Sequence, residues 1–181
     1  MLRQAQHERI WNERLIPHPL HPARAVRGMT VSGTVMQTAV LTFVVDGDGV
    51  AVPPASRPMR ADGLWRTTCF ELFVKPEGGD EYFEFNFSPS TAWAAYCFDG
   101  YRDGMSDADV TSPRIEPVER GLRVTADLSI LPPPPWRVGL SAVIEETDGT
   151  KSYWALTHPP GKPDFHHPDC FALELPALGN P

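Results

Sequence analysis

Prolines and glycines interrupt this chain too often for long helices to propagate. Twenty prolines and fourteen glycines are spread through 181 residues, and a proline inside a helix removes a backbone donor and clashes with the turn before it. Only the first sixteen residues, MLRQAQHERIWNERLI, offer a partial helical stripe, in Ile10, Trp11 and Leu15, and it stops at Pro17. They are expected to be an appendage able to form a short helix. The rest consists of short apolar runs bounded by turn residues, which predicts an all-β domain over 17–178.

Ten strands are expected, at 26–35, 38–46, 66–75, 81–88, 92–98, 111–118, 121–130, 136–146, 151–158 and 169–175. Turn sequences such as Asp46-Gly47-Asp48-Gly49 and Asp148-Gly149 separate them. Leu122, Val124, Ala126, Leu128 and Ile130 alternate with Arg123, Thr125, Asp127 and Ser129, the pattern of an antiparallel strand with one wet face. About ten such strands suit a two-sheet antiparallel β-sandwich. Pro17, Pro19 and Pro22 exclude a central strand there, and Pro132–Pro135 cannot donate ladder bonds and reads as a stiff connector.

The net charge of −7 comes with scattered basic residues, so no basic stripe for nucleic acid is present. No run approaches the roughly 18 apolar residues that cross a bilayer. Three cysteines without paired spacing, and a polar N-terminus where a secretory signal would be apolar, predict a soluble cytoplasmic protein.

The hairpin from Leu64 to Ser88 is the most informative segment. Its two strands flank Pro76-Glu77-Gly78-Gly79-Asp80. Only a register in which paired residue numbers sum to an odd value puts Phe70, Leu72, Val74, Phe83, Phe85 and Phe87 on one face. Cys69, Glu71, Phe73, Tyr82, Glu84 and Asn86 then share the other. If Glu71 and Glu84 pair directly they stand roughly 5 Å apart, an unfavourable juxtaposition of like charges. Full solvation of an outer face would explain it, and so would a polar surface that binds a ligand. Tyr82, the Asn86 amide and the nearby Arg66 and Arg102 favour the second account.

The loop after Trp154 carries His158, Asp164, His166 and His167, yet its four prolines and adjacent histidines give no recognised metal-ligand spacing, and no metal is expected. There is no G-x-S-x-G elbow and no phosphate-binding glycine loop. Trp65, Trp93, Tyr96, Tyr101 and Trp154 could stack on sugar rings, although most tryptophans of a sandwich are core.

Leu64–Val74, Glu84–Ser90, Trp93–Tyr96, Gly100–Met105 and Pro163–His167 together resemble the bacterial DOMON-like domains, relatives of the DOMON sugar- or haem-binding domains and of family 9 carbohydrate-binding modules. The resemblance implies an immunoglobulin-like or jelly-roll sandwich that binds a ligand on a sheet face. For a sugar it makes Trp65, Trp93 and Trp154 the stacking candidates. For haem the nearest axial candidates are Met105 and His158. The expectation is a non-catalytic module for a carbohydrate or similar small polar ligand, held by Trp65, Arg66, Glu71, Tyr82, Glu84, Asn86, Trp93, Tyr96, Arg102, Trp154 and His158, with no cofactor. A haem-binding electron-transfer domain, a retaining glycoside hydrolase using Glu71 and Glu84, and a surface that docks a partner chain are the alternatives.

Overall fold

The computed structural model describes residues 10–177 and is built from strands joined by loops and two short 3-10 turns. The strands are β1 (Trp11–Pro17), β2 (Val26–Val35), β3 (Thr38–Gly47), β4 (Cys69–Pro76), β5 (Tyr82–Phe87), β6 (Trp93–Phe98), β7 (Ser106–Asp107), β8 (Arg114–Val118), β9 (Gly121–Asp127), β10 (Trp136–Glu145), β11 (Lys151–Ala155) and β12 (Leu173–Leu175). All pairings between them are antiparallel, in the order β7-β6-β5-β4-β10-β11-β1-β2-β3-β9-β8, and β12 adds to β10.

Two separate sheets were the expectation, but the ladder runs unbroken from β7 to β8. The strand that joins its halves is β1. Trp11–Leu15 pair with β2, whereas Ile16 and Pro17 pair with Ala155 and Trp154 of β11. The sheet curls so that its halves share one core, in which Phe43 of β3 and Phe70 of β4 lie 5.0 Å apart between ring centroids.

The first sixteen residues therefore need correction. Residues 1–9 lie outside the described residues, but residues 11–16 form a strand, and the domain begins before residue 17. Trp11 and Leu15 are both buried. A spacing of four fits one face of a helix and also one face of a strand, and the pairing with β2 decides for the strand. Pro17 sits at the last position of this central strand, and His18 continues by donating its N–H to the Tyr153 carbonyl. The ten other expected strands are present, several of them shorter. β9 stops at Asp127 because its carboxylate accepts the Ser129 N–H, an Asx turn.

The face of β4, β5 and β6 that points away from this core is also covered. Residues 156–172 cross it, and Phe165 and Phe171 join Phe73, Tyr82, Ala94, Tyr96 and Phe98 in a second apolar cluster. Gly139 of β10 makes room for this loop: a Cβ there would lie 3.0 Å from the Phe171 ring and 3.1 Å from the Cys170 carbonyl oxygen. Both faces of the hairpin are thus buried, and every residue of β5 is buried.

Glu146, 3% exposed, links the halves a second time, at the far end of β10. Its carboxylate accepts the N–H groups of Arg24 at 2.9 Å, Ala25 at 3.0 Å and Val26 at 3.3 Å as the chain enters β2. Removing it leaves three backbone donors without partners. Glu146→Ala is expected to cost about 2–4 kcal/mol of folding stability, measurable as a lower midpoint in urea unfolding.

Candidate functional site

The register of β4 with β5 is the odd-sum one: Phe70 lies opposite Phe87, Leu72 opposite Phe85 and Val74 opposite Phe83. All six of the apolar residues expected on one face belong to the main core. Glu71 lies opposite Asn86, and Glu84 opposite Phe73. The two glutamates are therefore diagonal neighbours rather than the direct pair that the retaining-hydrolase alternative assumed.

Neither glutamate is solvated. Glu71 is 2% exposed and Glu84 6%, because the 156–172 loop and the segment around Leu64 close over this face. Each has one neutral hydrogen-bond donor. Ser141 of β10 donates its hydroxyl to Glu71 Oε2 at 2.9 Å, and the Asn86 amide donates to Glu84 Oε1 at 2.7 Å. Asn86 also accepts the Cys69 thiol. Burial pushes the Glu71 carboxyl up to about 8, with the neighbouring Glu84 charge adding to the shift. Burial raises Glu84 to about 7 against the opposing pull of the Asn86 amide and the Arg102 guanidinium. A carboxyl out of water holds its proton because the charged form loses most on leaving water.

A second polar group buttresses the first. The Arg102 N–H donates to the Tyr82 hydroxyl at 3.2 Å, and that hydroxyl meets His166 Nδ1 at 2.8 Å. The other ring nitrogen of His166, Nε2, stands 3.7 Å from Glu84 Oε2. Burial, and then the Arg102 charge, lower His166 to about 4, so the ring is neutral at neutral pH. Arg102 itself has φ 55, in the left-handed region. Its guanidinium binds Asp164 at 2.7 Å, and Tyr101 donates to the same carboxylate. Burial alone would raise Asp164, but these hydrogen bonds and the Arg102 charge bring it below its ordinary value.

These groups surround a concavity of about 790 Å³. Glu71 and Glu84 line it, with Tyr96 and Phe98 of β6 on one side and Phe165 and His166 of the covering loop on another. Trp65, Arg66, Arg102 and Met105 also line it. Trp65 is 52% exposed, and the Arg66 guanidinium stands 5.4 Å over its ring. The Tyr96 hydroxyl donates to Asp62 at 2.7 Å. A second concavity, of about 810 Å³, lies where the β2–β3 turn meets the Pro132–Pro135 connector; Val35, Leu128, Leu131 and Trp136 line it, and among the described residues no ionisable side chain does.

Of the residues singled out from the sequence, Trp65, Arg66, Glu71, Glu84, Tyr96 and Arg102 line the acidic concavity. Tyr82 and Asn86 stand behind it and bond the groups that do. Trp93 and Trp154 do not reach it. They are 7% and 2% exposed in the main core, where Trp93 lies 4.8 Å from the Arg60 guanidinium and the Trp154 indole donates to Ser152. Trp93 pairs with Phe87, on the core side of the hairpin. His158 packs against His18 with ring centroids 4.8 Å apart, and its Nε2 donates to the Ile16 carbonyl. Met105 lines the concavity and His158 does not. Among the described residues no group of three or more His, Cys, Asp or Glu is placed to hold a metal ion, and no helix is long and apolar enough to cross a membrane. Ser141 was missed in the sequence, and its signal was available in the register of β10 against β4, which places it opposite Glu71. Asp62 and the partnership of His166 with Tyr82 depend on loop paths that strand periodicity does not encode.

No protein-family model and no curated protein matches the chain. Among solved structures it is similar to a "putative carbohydrate-binding protein" from Bacteroides uniformis, at 13% identity, over 89% of this chain and 84% of that one, with a TM-score of 0.67. At that identity the likeness is one of fold.

The two carboxyls bind protons more tightly in the folded chain than at the ordinary value of 4.5. Their contribution to stability is complete below pH 4.5 and is lost as pH rises through about 7 and about 8. His166 acts in the opposite sense, its contribution being lost as pH falls from 6.5 through about 4. Between pH 6.5 and 8 the carboxyls govern the slope, so the urea midpoint should fall across that window. Glu71→Gln should flatten the fall. A midpoint that rises with pH there would contradict a desolvated acid pair.

Proposed function

We propose that this chain is a non-catalytic module that binds a carbohydrate in the acidic concavity, with Trp65 as the stacking platform. The carrying observation is the placement of Trp65: a half-exposed indole beside a polar-lined hollow, while Trp93 and Trp154 are spent on the core. An indole face matches the apolar face of a sugar ring, and carboxyl, phenol and guanidinium groups around it can take the hydroxyls. Glu71, Glu84, Tyr96, Arg66 and Arg102 are the polar contacts of this site. The curled sheet fits a jelly-roll or immunoglobulin-like sandwich of the DOMON-like kind, and the similar fold of the Bacteroides uniformis protein supports a sugar as the ligand class. Cytoplasmic residence belongs to the same proposal, and the free thiols of Cys69, Cys97 and Cys170 support it.

Calorimetric titration against a panel of mono- and oligosaccharides tests this. Binding of at least one sugar is expected, and Trp65→Ala should weaken it by about tenfold, the loss of an aromatic anchor. A folded protein that binds none of the panel, or a Trp65→Ala variant with undiminished affinity, would overturn the assignment.

A further inference from the structure

The acid pair has more hydrogen-bonding capacity than the protein uses. Only Oε2 of Glu71 has a hydrogen-bond partner among the described residues, although the side chain is 2% exposed. Glu84 Oε1 takes the Asn86 amide, but Oε2 has only the His166 Nε2 at 3.7 Å, beyond hydrogen-bond reach. Both residues line the same concavity. One oxygen on each of two neighbouring carboxyls is thus left for a ligand.

We infer that the sugar bound here carries a free primary amine, and that its ammonium group seats between Glu71 and Glu84; this rests on the carbohydrate-binding proposal above. An ammonium offers three donors and a positive charge, enough to bond both free oxygens and offset one of the pair's two charges. A hydroxyl brings no charge, and an N-acetyl group brings one N–H donor and no charge. Tyr96, Phe98 and Phe165 line the concavity around the pair, and aromatic faces attract a cation. Neither nearby arginine bonds the pair: Arg102, whose charge is felt at Glu84, is bound to Asp164, and Arg66 stands over Trp65. The carboxylates of Asp62 and Asp107 also line the concavity and add to its negative potential. His166 is neutral and contributes no repelling charge. Calcium or magnesium fits less well, because either needs about six or more oxygen ligands and the described residues supply no metal-holding group.

Seating the ammonium stabilises both carboxylates, so a proton held by the pair leaves for solvent as the ligand arrives. Calorimetry of the full chain with three trisaccharides tests this: β-1,4-linked glucosamine, its N-acetylated form and its glucose counterpart, each at neutral pH in two buffers of different ionisation enthalpy. The amine form should bind at least about tenfold more tightly than the other two, and its observed heat should depend on the buffer in the sense of proton release. In Glu71→Gln/Glu84→Gln, with folding verified by circular dichroism, the preference for the amine should collapse to near parity. Equal affinity for the three sugars, a heat independent of buffer, or a preference that survives in the double variant would each overturn the inference. Binding of the neutral sugars without preference would overturn it and leave the carbohydrate-binding proposal standing. Binding of none would overturn both.

Discussion

The site depends on the burial of a second face of the β4–β5 hairpin. A sheet strand normally keeps one side in water, and polar residues there cost nothing. Here the 156–172 loop crosses that side, and the absence of a side chain at Gly139 lets it lie close. Desolvation then turns two ordinary surface glutamates into proton-holding acids. It also holds His166 neutral and sets Arg102 and Asp164 as an ion pair at the rim. One packing event thus fixes the charge state of most groups around the concavity.

The electrostatic result is a pocket that is less charged than its composition suggests. Protonation of the carboxyl pair and neutrality of His166 both reduce the cost of burying ionisable groups. What remains is a set of hydrogen-bonding groups with fixed positions, because Ser141, Asn86 and Tyr82 each hold a partner from behind. Such backing preorganises a site more than it strengthens the fold.

Strand parity made half of this legible in the sequence. Alternation in the two hairpin strands gave the odd-sum register, the core membership of the six apolar residues and the shared face of Glu71, Glu84 and Asn86. Carried one strand further it would also have assigned Trp93 to the core, since Trp93 faces Phe87. Parity could not tell that the polar face was covered, because the cover is a proline-rich loop whose path follows from contacts such as Gly139 with Phe171. Nor could it place the glutamates within the register, where a slide of two residues keeps every face and changes every partner. The N-terminal strand is ambiguous for a related reason: Trp11 and Leu15 satisfy both periods, and only their partners Gly33 and Met29 in β2, or those farther still in β11, resolve the choice.

The crossing made by β1 has a kinetic meaning. The hairpins β2–β3, β4–β5 and β10–β11 each close over short chain separations and can form early. The link between the halves cannot, because Ile16 must find Ala155 near the other end of the chain. Contacts of that separation carry the largest loop-closure entropy and slow folding. Sheet continuity is therefore a late event, and until β1 reaches β11, the ladder edge of β11 that it will occupy stands open to association with other chains.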